Sequence, residues 1–232
     1  MAWRGRSLGR GVQQASEHSP VAHSQTILMV YSIMGNIGHD ISSSGVRMGG
    51  TIYFGYGSNL WRHQMQQRCP HSKYLGVARL NGYRWMINDR GYANVVEMDK
   101  NKQDDTHCFG LVYSLTQSDE DALDINEGVP EAYTKEHLKT DFWRASTDSD
   151  KIDIDQDPEK VDMLVYIDRV RMEDSTPKSE YVYRMNMGIA DARAAGVPDS
   201  YIDDTLRKFI PDKHDESAEK LARKQALNFT DE

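Results

Sequence analysis

Two short segments of the chain carry residue types that could do chemistry. The first is Tyr53-Phe54-Gly55-Tyr56-Gly57-Ser58-Asn59-Leu60, an aromatic run that passes through two glycines into a serine. A strand that stops at Gly57 and enters a helix leaves backbone N–H groups unpaired at the turn. Such a turn suits a carboxylate or a developing oxyanion. Glycine permits close backbone approach, and Ser58 adds a hydroxyl donor. The second segment is Leu123-Asp124-Ile125-Asn126-Glu127-Gly128-Val129, where Glu127 falls at the end of a helix that Gly128 terminates. A carboxylate set against the helix dipole has a raised pKa, the usual way of making it a useful base. Each segment also has an ordinary reading: a capped strand-to-helix turn, and an exposed glutamate at a helix end.

Other motifs fail on spacing. Gly55-Tyr56-Gly57 begins like a dinucleotide loop, but Leu60 holds the third glycine position and no P-loop lysine follows. Asp153, Asp155 and Asp157 imitate a calcium loop until Pro158 and Leu164 replace its glycine and its bidentate glutamate. His63, Cys69 and His71 lie close together without a zinc spacing or a second cluster to complete one. Ser58 lacks the Gly-x-Ser-x-Gly context of a nucleophile elbow.

The elements that must position the two segments follow from periodicity and punctuation. Thr51–Tyr56 reads as a buried strand, and Ser58 or Asn59 caps a helix running to about Cys69, where Pro70 stops it. Further strands are expected at Tyr74–Arg79, Tyr83–Asn88, Ala93–Met98, His107–Leu115, Ala132–Thr140 and Asp162–Asp168. Ser118-Asp119-Glu120-Asp121 opens a short helix that ends at Glu127-Gly128. A longer helix covers Ser179–Ala195 and stops at Gly196, with Pro198 beyond, and another covers about Ser200–Phe209. The tail from Lys213 to Glu232 is polar nearly all round and is not expected to pack. Strands dominate the middle and helices the end, without regular alternation, which makes the fold α+β rather than doubly wound.

Composition narrows the class. The 232 residues are 38% hydrophobic with a net charge of -8. An acidic balance argues against a dedicated nucleic-acid binder, whose footprint would be basic. No stretch approaches the roughly 20 apolar residues of a membrane helix. Two cysteines, Cys69 and Cys108, are too few for a disulfide scaffold, so a reducing compartment is the expectation. Residues 1–50 carry +2 and no sustained period, and their three early arginines have the composition of a mitochondrial transit peptide. A disordered extension is the alternative given more weight, and this segment is set apart from the folded domain. The domain is expected over 51–211 and the polar tail over 212–232.

Taken together, Tyr53 through Leu60, Ala78-Arg79-Leu80, Gly110-Leu111-Val112-Tyr113, Leu123-Asp124-x-x-Glu127-Gly128-Val129, Val165-Tyr166 and Gly196-Val197-Pro198-x-x-Tyr201 resemble the γ-glutamylcyclotransferase family. The resemblance covers about residues 51–211. The glutathione-specific branch usually continues Tyr-Gly-Ser with Leu-Ile, so Asn59-Leu60 sets this chain nearer the γ-glutamylcyclotransferase proper. Gly55 departs from the alanine often found there, which costs chain entropy but removes no chemistry.

The resemblance implies a compact α+β domain built round a small β-barrel with flanking helices. It also implies cyclisation of a γ-glutamyl amide or peptide to 5-oxoproline with release of an amino acid or amine. Glu127 is then the catalytic base, and Tyr53, Phe54, Gly55, Tyr56, Gly57, Ser58 and Tyr166 contact substrate. No metal or cofactor is required. The expected partner is a small-molecule γ-glutamyl substrate, with no nucleic acid and no membrane, and a homodimer is left open. The expected location is cytoplasmic, with the mitochondrion as the alternative. A related branch acting on glutathione, a γ-glutamylamine or a pathway-specific conjugate, and a non-catalytic binding module of the same fold, stand as alternative functions.

Overall fold

A computed structural model of the chain describes residues 50–99, 101, 106–213 and 216–227. The expected N-terminal extension lies outside the described residues apart from Gly50, as does most of the loop between 99 and 106.

Five strands rich in aromatic and β-branched residues close on themselves: β1 (Thr51–Gly55), β2 (Lys73–Asn81), β5 (His107–Leu115), β6 (Thr134–Arg144) and β7 (Glu159–Ile167). Their order in the barrel is β1-β5-β2-β6-β7. β1 runs antiparallel to β5, with Tyr53 opposite Tyr113, and parallel to β7, with Tyr53 opposite Leu164. Closure leaves no open edge, and Val77, Leu111, Val112, Leu164 and Val165 are buried along the strands. β3 (Tyr83–Ile87) and β4 (Ala93–Glu97) form a separate hairpin sheet. The fold is α+β with a closed barrel and flanking helices.

The helices depart from the expected spans in instructive ways. The helix expected from Ser58 to Cys69 is broken: Ser58–Leu60 forms a 3-10 turn, Trp61 is extended, and α1 spans Arg62–Arg68. Ser58 does not cap it, because its hydroxyl is held by other side chains. α2 spans Gln117–Glu127, and its cap is Thr116 in a capping box with Asp119 rather than Ser118. Gly128 ends α2 in the left-handed conformation. α3 (Ser179–Ala195) has the expected bounds and ends at Gly196. The helix expected over Ser200–Phe209 is divided at Thr205 into α4 (Asp199–Asp204) and a 3-10 turn at Leu206–Lys208.

Within the tail expected not to pack, the described helix does pack. α5 (Glu216–Leu227) presents Ala222 and Ala226, both buried, to Trp61 and Tyr183. Two alanines are too small to mark an apolar face in the sequence, and here they meet two aromatic rings, with Met187 packed beside them. The last turn of α5 also faces Arg68, whose Nε donates to the Ala226 carbonyl at 3.2 Å and NH2 to the Gln225 carbonyl at 3.1 Å. These are carbonyls that a helix end leaves without helical partners. On the other side, α3 lies directly on the 3-10 turn at Gly188, where a Cβ would come 2.8 Å from Leu60 Cβ. That close approach sets the position of every α3 side chain aimed at the turn.

Candidate active site

The C-terminal end of β1, the 3-10 turn, the end of α2 and the first turns of α3 surround a narrow cavity of about 50 Å³. That is room for a few waters or a small polar head group rather than a large ligand. Of the expected residues, Tyr53, Tyr56, Gly57, Ser58, Glu127 and Tyr166 line it. Phe54 and Gly55 do not. Strand alternation turns Phe54 to the other face, where it is fully buried against Gly110. Gly55 lies beneath Asn59, and a Cβ there would sit 3.3 Å from both Asn59 Cβ and the Tyr53 ring. Its role is to let Asn59 fold back over the strand.

Glu127, the last residue of α2, is half-buried at the cavity wall, and its Oε1 accepts from Asn59 Nδ2 at 3.1 Å. The carboxyl is held above its ordinary pKa, as the sequence suggests, but for a different reason. Burial raises it, while the charge of Arg68, the Asn59 hydrogen bond and the charges of Arg184 and Arg90 pull it partly back. The helix end itself is well capped: Gly128 N–H donates to the Ile125 carbonyl at 3.2 Å and Val129 N–H to the Asp124 carbonyl at 3.0 Å.

Asn59 is the hinge of the network. Its Nδ2 also donates to Tyr53 Oη at 2.8 Å, and its Oδ1 accepts from Gln64 Nε2 at 2.7 Å and Arg68 NH1 at 3.3 Å. One side-chain amide therefore spans the distance between the carboxylate and a buried cation.

The anion-binding turn is built differently from the expectation. The Ser58 N–H is not open to a ligand, because it donates to Tyr181 Oη at 3.1 Å. The Ala93 N–H donates to the same oxygen at 3.2 Å. Ser58 Oγ accepts from Gln64 Nε2 at 2.9 Å and from Arg184 NH1 at 3.1 Å. A hydroxyl whose lone pairs are both engaged has its own proton left as a donor. Two such hydroxyls, Ser58 and Tyr181, therefore line the cavity with their protons directed away from their N–H partners. Burial pushes the Tyr181 phenol up to about 12, so it keeps that proton at neutral pH. Tyr166, by contrast, donates its proton to Asp124 Oδ1 at 2.7 Å, and Tyr56 donates to the Tyr166 carbonyl at 2.6 Å.

Asn59, Arg68, Tyr181 and Arg184 are cavity residues that the sequence reading did not single out. Asn59 stood inside the motif but read as a cap. Arg184 follows Glu180 by four on α3, a spacing that reads as an ordinary surface ion pair, although both are buried. Tyr181 lies within the expected helix Ser179–Ala195, and nothing in its spacing sets it apart. Both cysteines are buried, and burial pushes each thiol up to about 12, which leaves neither as a thiolate nucleophile at neutral pH. Among the described residues, no group of three or more His, Cys, Asp or Glu side chains is placed to hold a metal ion.

Residues 53–183 match the family model described as "Gamma-glutamyl cyclotransferase, AIG2-like". A solved structure described as "Gamma-glutamyl cyclotransferase" superposes with a TM-score of 0.57 at 20% identity, covering 75% of this chain and 99% of that one. A human protein described as uncharacterized gives a TM-score of 0.57 at 21% identity, with 75% and 99% covered. At these identities the two likenesses establish a shared fold. No curated protein matches in sequence.

Proposed function

Since the chain belongs to the γ-glutamyl cyclotransferase, AIG2-like family, we propose that it converts the γ-glutamyl group of a small amide or peptide into 5-oxoproline and releases the free amino acid or amine. The observation that carries this reading is a carboxylate of raised pKa, Glu127, in one narrow cavity with two hydroxyls committed to donating, Ser58 and Tyr181.

The chemistry needs both. The substrate α-amine is mainly protonated near neutral pH and cannot attack until a base takes a proton. Glu127 takes it, and the freed amine adds to the γ-carbonyl of the same glutamyl group, forming the ring C–N bond. The carbonyl oxygen becomes negative and meets the O–H groups of Ser58 and Tyr181. The tetrahedral carbon then collapses: Glu127 returns its proton to the departing nitrogen as the original γ-amide C–N bond breaks, and it takes the second proton from the ring nitrogen, which is left as the lactam N–H. Because both reacting groups belong to one molecule, the protein's main task is to fold the glutamyl chain into a near-attack shape. A cavity sized for a small head group fits that task, with the leaving group held toward the mouth.

The test is 5-oxoproline release from γ-glutamyl-alanine, glutathione and γ-glutamyl-ε-lysine. Release from any of them supports a cyclotransferase and ranks the leaving groups. Binding without release supports a non-catalytic module.

Tyr181→Phe separates the donor role from the structural one. It removes the acceptor of two buried N–H groups, at about 1–3 kcal/mol each when left unpaired, so the melting temperature should fall. Losing an oxyanion donor should also lower kcat by about 10²-fold. A lower melting temperature with unchanged kcat would leave Tyr181 a purely structural residue.

A further inference from the structure

Arg184 is a buried guanidinium with capacity left over. Its side chain is 1% exposed, and it lines the cavity. Nε donates to Glu180 Oε2 at 3.0 Å, and NH1 to Ser58 Oγ. NH2 lies 2.9 Å from the same Glu180 oxygen as an ion pair but makes no hydrogen bond. A buried N–H that meets its only neighbouring acceptor at a poor angle is under-satisfied, and its presence at a cavity wall points to a ligand atom that completes it.

Arg68 lies in the same wall, also buried, and the two cations repel: burial and the charge of Arg184 bring the Arg68 guanidinium down to about 10. The amide of Asn59 separates Arg68 from Glu127, so the cavity has an acidic side and a basic side. A γ-glutamyl group carries the matching pair on one carbon, an α-ammonium and an α-carboxylate.

We propose that Arg184, backed by Arg68, is the specificity-determining residue that binds the free α-carboxylate of the γ-glutamyl group. This rests on the cyclotransferase reading of the cavity and deepens it. With the carboxylate on Arg184, the α-amine faces Glu127, and the hydroxyls of Ser58 and Tyr181 are left for the γ-carbonyl oxygen. Glutamate whose α-carboxyl is an amide, or is tied into a peptide, is disfavoured.

Removing Arg184 alone would strand the Glu180 carboxylate, so the test uses Glu180→Gln with Arg184→Met, which deletes both charges together. The full-length wild type and this double variant are assayed on γ-glutamyl-alanine and on its counterpart bearing an α-carboxamide on the glutamyl group. The wild type should favour the acid by about 10 to 10²-fold in kcat/KM, the range of a charge-assisted hydrogen bond. The double variant should lose that preference through KM on the acid, with the amide little changed. Arg184→Lys should keep part of it. Equal losses on both substrates, or a preference that survives the double substitution, would overturn the assignment.

A binding measurement stands apart from turnover. Millimolar 5-oxo-L-proline should raise the wild-type melting temperature more than its carboxamide does, and the double variant should respond equally to the two. If the wild type releases no 5-oxoproline from either substrate, the cyclotransferase reading fails and the melting comparison alone decides the carboxylate site. An equal response of the wild type to acid and amide would sink that site.

Discussion

Replacing Glu127 by Gln should lower 5-oxoproline formation by about 10² to 10⁴-fold or more, the range of a general base, while the chain stays folded. The amide keeps the volume, and its oxygen can still accept from Asn59 Nδ2. What it cannot do is take a proton from the substrate ammonium. The pH profile supplies an independent check. Burial holds Glu127 above the ordinary carboxylate range, so the acid limb of kcat/KM should lie above that range and vanish in the variant. Stability has a definite sign too. A carboxyl whose folded pKa is raised binds its proton more tightly folded than unfolded. The stability this provides is present at low pH and lost as pH rises through the folded value. At neutral pH the Gln variant should therefore melt no lower than wild type. A folded variant with near wild-type turnover would remove Glu127 from the mechanism.

Gly57→Val should be the next most damaging change, with turnover down by about 10²-fold or more, as a misplacement of about 1 Å can cause. A Cβ at this position would come 2.9 Å from Tyr181 Oη and 3.2 Å from Ala93 Cβ. Ala93 sits on the backbone of β4 and cannot yield easily. The phenol would have to move, and it holds the N–H groups of both Ser58 and Ala93. Overpacking of this kind costs about 1–3 kcal/mol, so a lower melting temperature should accompany the kinetic loss. Val at 57 with normal kcat and KM would mean that the phenol position does not matter to the chemistry.

Much of this fold is legible in the sequence because local signals agree with the tertiary answer. His107–Leu115 is mostly apolar and aromatic, and α3 is ended by Gly196 with Pro198 beyond, so both have the spans expected of them. Legibility fails where a long-range partner outweighs a local signal. Ser58 looks like a cap, but Gln64 and Arg184 claim its hydroxyl, and the helix starts only after Trp61. The face of α5 rests on two alanines that acquire meaning only opposite Trp61 and Tyr183. In the cavity, Glu127 and the β1 turn stand out by residue type and position. Arg184 does not, since the same i to i+4 pair with Glu180 would look identical on a solvated surface. Burial, which decides its role, is set by Gly188 admitting α3 to the turn.

The contact between the last turn of α5 and Arg68 makes the far end of the chain a reporter of cavity occupancy. Linkage is reciprocal: if an anion at the arginine wall stabilises the geometry that Arg68 holds, it must stabilise the docking of α5 by the same factor. Backbone amides near Ala222 and Ala226 should therefore exchange with solvent deuterium more slowly when 5-oxoproline is bound, although neither residue touches the cavity. The effect would be read by mass spectrometry on peptides from 216–227, and it needs no turnover at all. Exchange in that helix that ignores the ligand, while the melting temperature responds, would show that α5 is fastened by Trp61 and Tyr183 alone.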